Sequence, residues 1–111
     1  MSTPSLVIHR AHGFMSRLAG LLTRPPLREN EALYLVPCAG VHTFFMRYSI
    51  DVAFVNHEGQ VIAIVNRLKP FRMASCWRAH GAVEFAAGEA ARQGIAEGSR
   101  LAISPAPGAS A

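Results

Sequence analysis

Two almost uninterrupted apolar runs, Val52-Ala53-Phe54-Val55 and Val61-Ile62-Ala63-Ile64-Val65, constrain this chain most. Five residues, Asn56-His57-Glu58-Gly59-Gln60, separate them. A strand with one wet face alternates apolar and polar residues, whereas a strand covered on both faces reads as a continuous apolar run. Gly59 supplies a turn residue, so 51–56 and 60–68 are expected to form a hairpin buried on both sides. The expected fold is α+β and mainly β, a small antiparallel β-barrel with one or two short helices.

The remaining segments fit that frame. Strands are expected at 5–10, 32–37, 41–47, 82–85 and 100–104, with turn residues between them. Met15, Leu18 and Leu22 recur at helical spacing, and Pro25-Pro26 ends that segment, so 13–26 reads as a short helix. A second short helix is expected over 87–94, closed by Gly94. Residues 69–81 begin on Lys69-Pro70 and read as irregular. Half of the 111 residues are apolar and 16% are charged, enough for one core without metal or disulfide. One domain is therefore expected over 1–104, followed by a flexible tail, 105–111.

The formal net charge of +4 is modest and rests mostly on Arg. It permits a nucleic-acid partner without requiring one. No stretch approaches the ~18 apolar residues of a membrane span, and no secretory pattern opens the sequence. The cytoplasm is the expected compartment, with Cys38 and Cys76 as reduced thiols.

Several motifs point to one family. Arg17-Leu18-Ala19-Gly20-Leu21-Leu22 is followed by the apolar 32–37 strand. Phe44-Phe45-Met46-Arg47 then leads to Ile50-Asp51 and its apolar strand. Glu84-Phe85-Ala86-Ala87-Gly88 and Gly94-Ile95-Ala96-Glu97-Gly98-Ser99 close the pattern. In this order over about 14–103 the chain resembles the DUF192 family, also called UPF0127, of uncharacterised bacterial and archaeal proteins. It departs by Leu22 in place of Met, Phe45 in place of Trp and Ser99 in place of Asp. The resemblance implies a small β-rich fold and no particular activity.

The chemistry-bearing residues concentrate in two places. Arg47 and Asp51 flank the turn at Tyr48-Ser49, and a buried acid and base must pair. They either bridge and lock the connection, or Arg47 clamps an anion and Asp51 orients it. His42 lies on the same expected strand, as a core histidine or as part of that polar cluster. Arg67, Lys69, Arg72 and Arg78 form a basic stretch without an acid, interleaved with Phe71 and Trp77. That pattern suits single-stranded nucleic acid over 67–78, or a basic rim with the two aromatics packed beneath it. Glu84 is either exposed at an edge or buried and paired, with Arg47 or Arg72 as partner. Cys38 with His42, and Cys76 with His80, share a Cys-x-x-x-His spacing. It could serve a zinc knuckle or a thiol nucleophile with an imidazole base, with Asp51 orienting the base.

The reading that best fits these signals is a non-enzymatic binding module for a small anionic ligand or a protein partner. Its expected ligand-binding residues are Arg47, Asp51, His42 and Arg72. No cofactor, metal site or catalytic residue is expected. The alternatives are a cysteine/histidine-dependent enzyme and single-stranded nucleic-acid binding through 67–78.

Overall fold

The computed structural model describes residues 7–11, 27–43 and 47–103. Seven strands and one short helix occur there: β1 (Val7–Ala11), β2 (Glu31–Leu35), β3 (Gly40–His42), β4 (Ile50–Val55), β5 (Val61–Leu68), β6 (Met73–Ser75), β7 (Gly81–Ala86) and α1 (Glu89–Arg92). Five strands form one sheet in the order β1-β2-β7-β4-β5, and β3 pairs with β6 in a separate two-stranded ribbon. All pairings are antiparallel except β1 with β2. The fold is mainly β, as expected.

Both apolar runs are strands: β4 is covered on both faces, whereas β5, at an edge of the sheet, is half-buried over 62–65, and no closed barrel forms among the described residues. Among the described residues the five-stranded sheet stays open, with β1 and β5 at its edges. Two separate layers cover it instead. Ala53, Val55, Val83 and Phe85 face a core completed by Ala90 of α1 and by Ile95 and Leu101 beyond it. Ile50, Val52, Phe54 and Ala82 face the other side, where Val41 of β3 and Ala74 of β6 pack. The central strands β4 and β7 are therefore buried throughout, apart from the last residue of β7. The apolar run of β4 reports coverage on two faces and not what covers them.

The predicted hairpin forms, with Phe54 opposite Ala63 and Ala53 opposite Ile64. Asn56 organises its turn, since its Oδ1 accepts from the amides of Glu58 at 2.9 Å and Gln60 at 3.0 Å. Gly59 adopts φ +81, and a Cβ there would stand 2.7 Å from the Leu101 carbonyl, so glycine is required twice over. The strand expected at 41–47 ends at His42, and a strand forms at 73–75 inside the stretch expected to be irregular. Residues 100–104 make no strand among the described residues; a single bridge joins Gln60 to Arg100. The helix expected over 87–94 is the four-residue α1. The helix expected over 13–26, the Phe44-Phe45-Met46 block and the 105–111 tail lie outside the described residues.

Candidate functional site

Asp51 on β4 joins a bulge of β5 to the start of α1. The register of β4 on β5 slips between Ile50 and Val52, leaving an extra residue on β5. Arg67 sits in that bulge with φ +55. A bulged residue loses its ladder partner, and its amide needs another acceptor. Asp51, fully buried, supplies it: Oδ1 accepts from the Arg67 amide at 2.8 Å. Oδ2 accepts from the Ala90 amide at 3.0 Å, in the first turn of α1. The residue preceding that helix is Gly88, which has no side chain to cap it, so Asp51 caps it from β4, the strand next to β7. The Arg67 guanidinium lies over Gly88, 2.9 Å from where a Cβ would stand.

The sequence reading grouped Asp51 with Arg47. Both Asp51 oxygens engage backbone amides, and the Arg47 side chain is exposed. Asp51 ties bulge to helix. The Ile-Asp and Ala-Gly motifs, far apart in sequence, meet here as one structural joint.

Thr43 does for the ribbon what Asp51 does for the sheet. It is fully buried, and its Oγ1 donates to the Lys69 carbonyl at 2.6 Å and accepts from the Arg72 amide at 3.0 Å. Its own amide donates to the Arg72 carbonyl at 2.9 Å, and its carbonyl accepts from the Phe71 amide at 3.0 Å. This staple holds the Lys69–Arg72 turn with Phe71 at φ +61 and sends β6 back along β3.

The staple fixes an unusual surface. Ala74 and Cys76 are half-buried and face the core beneath the ribbon. Met73 of β6 is 71% exposed, and Phe71 and Trp77, in the turns on either side of the strand, are 67% and 86% exposed. These are the exposed large apolar side chains among the described residues. The sequence left Phe71 and Trp77 either as stacking aromatics or as packed beneath a basic rim; both are exposed. Lys69, Arg72 and Arg78 are exposed beside them, and the Arg78 guanidinium lies 6.0 Å from the centre of the Trp77 ring. His42 is half-buried at the end of β3, in register with Met73. Gly40 is in register with Ser75, so the middle of the ribbon carries only small side chains between Met73 and Trp77. Met73 went unmarked in the sequence. Reading 73–75 as a short strand despite Pro70 could have revealed it.

The Cys38 amide donates to the His80 carbonyl at 3.0 Å, and the Cys76 amide donates to the Ala39 carbonyl at 2.8 Å. Cys38 is buried and its Sγ donates to the Gly40 carbonyl at 3.0 Å, while Cys76 is half-buried. The His80 ring stacks on His57, with centroids 3.8 Å apart. Among the described residues no three His, Cys, Asp or Glu side chains gather as a metal-holding group, and no helix is long and apolar enough to cross a membrane. Glu84 is buried in β7.

Glu89 at the start of α1 is the strongly perturbed acid. Its carboxylate accepts from Arg92 at 2.7 Å, from Gln93 at 3.0 Å and from the Asn30 amide at 2.9 Å. The Arg92 hydrogen bond first, then the Asn30 and Gln93 bonds, lower its pKa to about 2 against the opposing effect of burial. The cluster pins the loop before β2 to the helix.

The family model of DUF192, described as "Uncharacterized ACR", matches residues 2–103, and the chain belongs to this family. No curated protein matches it. Two solved structures share the fold. One, from Sinorhizobium meliloti 1021 and described as a "putative transcription regulator", is 18% identical with a TM-score of 0.76, covering 86% of this chain and 79% of that one. The other, a protein of unknown function from Novosphingobium aromaticivorans DSM 12444, is 23% identical with a TM-score of 0.70, covering 84% of this chain and 71% of that one.

Proposed function

We propose that this chain is a non-enzymatic binding module for a protein partner, and that the outer face of the β3–β6 ribbon is its contact surface. The observation that carries the reading is the exposure of Met73 on β6 together with Phe71 and Trp77 in the turns at its two ends. Covering a side chain of that kind is worth about 1.5–3 kcal/mol, so leaving three in water forgoes stability that a partner can recover. Aromatic residues, Met and Arg are the types enriched where proteins meet. Arg72 and His42, named from sequence as ligand-binding residues, lie on this ribbon; Arg47 is exposed on the segment leading to β4, and Asp51 serves the scaffold. A small anionic ligand fits less well, because such ligands are enclosed in clefts and this surface stands open. The Cys38 thiol, buried and donating to a backbone carbonyl, supports a structural role over a nucleophilic one.

The test is selection of random twelve-residue peptides displayed on phage against the full chain, counter-screened on F71S/M73S/W77S. All three positions are exposed, so the variant is expected to keep the wild-type fold by circular dichroism. The reading expects peptides that bind the wild type and lose at least tenfold in affinity for the variant. Peptides that bind both chains equally, or no enrichment at all, overturn it.

A further inference from the structure

The backbone of β6 adds something the exposed side chains do not. Residues of an antiparallel strand alternate between those whose N–H and C=O face the partner strand and those whose groups face away. The Thr43 amide donates to the Arg72 carbonyl at 2.9 Å, and the Cys76 amide donates to the Ala39 carbonyl at 2.8 Å. Arg72, Ala74 and Cys76 thus turn their backbone groups toward β3, and Met73 and Ser75 turn theirs outward. Among the described residues β6 pairs with β3 alone, so it is an edge strand. Natural edges are commonly blunted with inward charges, proline or a cover. Here the outward-facing groups at Met73 and Ser75 sit beside the exposed Met73 side chain, between Phe71 and Trp77.

The charge around that edge is of one sign. No acidic residue occurs between Glu58 and Glu84, and Lys69, Arg72 and Arg78 are all exposed beside the strand. Resting on the binding-module reading, we infer that the β6 edge accepts an extended, acidic segment of a partner protein as an added strand. Its backbone pairs with Met73 and Ser75. Its apolar side chains meet Met73 and Trp77, and its carboxylates meet Arg72 and Arg78.

Other occupants fit less well. A second copy paired edge to edge across a twofold axis would set the Arg72 and Arg78 of one chain against those of the other. Single-stranded nucleic acid would use the rings as stacking platforms. Yet Met73 lies between Phe71 and Trp77 in the chain, so the two rings are not successive stacking platforms.

The experiment uses the ribbon-dependent peptides selected above and two single variants of the full chain. S75P removes an outward-facing amide while leaving the bonds from β6 to β3 in place, since proline is tolerated on strand edges; S75A is its control. Strand addition expects S75P to lose at least tenfold in affinity and S75A to match the wild type. It also expects an excess of Asp and Glu in the peptides, and affinity that falls as salt rises. Should S75P unfold, methylating alternate backbone nitrogens of the peptide gives the same reading: one register loses at least tenfold and the other is unaffected. Neutral or basic peptides that need the ribbon overturn this inference and leave the binding module standing, as do peptides indifferent to S75P and to methylation. Peptides that bind F71S/M73S/W77S as well as the wild type, or no enriched peptide, overturn both. Tighter ribbon-dependent binding of a twenty-residue oligothymidylate than of any selected peptide replaces the protein segment with nucleic acid.

Discussion

Replacing Asp51 by Asn should unfold the joint between the bulge and the helix without touching the surface. Asp51 is fully buried and serves two backbone donors, the amides of Arg67 at 2.8 Å and Ala90 at 3.0 Å. An asparagine offers one oxygen and turns an NH₂ toward the other donor. One hydrogen bond to a carboxylate, worth about 1.5–3 kcal/mol, is lost, and a buried amide is left unsatisfied. The expected cost is about 2–4 kcal/mol, a large part of the ~5–15 kcal/mol that holds a domain together. For a domain of this size that is a fall of about 10–20 °C in Tm. Urea unfolding should be followed by far-ultraviolet circular dichroism, because the single tryptophan, Trp77, is 86% exposed and reports poorly on unfolding. Hydrogen exchange should show faster exchange at the Arg67 and Ala90 amides. R47A is the control and should change stability by no more than ~0.5 kcal/mol. A D51N loss under ~1 kcal/mol at unchanged m-value would refute the assignment of Asp51 to the scaffold.

Thr43→Val keeps the shape but removes the hydroxyl that links Lys69 and Arg72, and should cost about 1–3 kcal/mol with faster exchange at the Arg72 amide. Glu89 has a folded pKa of about 2 against an ordinary 4.5, so the stability it contributes is complete above about 4.5 and is lost as pH falls through about 2. Glu89→Gln should therefore flatten the acid limb of a stability-against-pH curve between those values. A thiol reagent at neutral pH should modify half-buried Cys76 well before buried Cys38, which should react only on unfolding; peptide mass mapping after timed labelling distinguishes them. Gly59→Ala should destabilise by more than ~1 kcal/mol, because its positive φ and the nearby Leu101 carbonyl both exclude a side chain; thermal melts measure it.

The sequence carried the strands better than their arrangement. Val52–Val55 and Val61–Val65 announced a hairpin, and the structure has it, with β4 covered on both faces and β5 half-buried at the sheet edge. What covers those faces depends on long-range partners, a ribbon on one side and α1 with Ile95 and Leu101 on the other, and no local pattern encodes that choice. Asp51 was legible as a buried polar residue that needed a partner. Its true partners are backbone amides, one created by a register slip that leaves no composition signal. The ribbon surface was half legible. The basic residues of 67–78 stood out, but Pro70 hid the short strand on which Met73 is exposed, with Phe71 and Trp77 in the turns at its ends.

The most direct measurement of the central claim is amide hydrogen exchange of the full chain, alone and saturated with the tightest selected peptide. The account predicts new protection confined to 71–78, strongest at Met73 and Ser75, with β1 and β5 unchanged. Protection that falls instead on the edges of the main sheet, or on α1, would contradict the assignment of the β3–β6 ribbon as the contact surface.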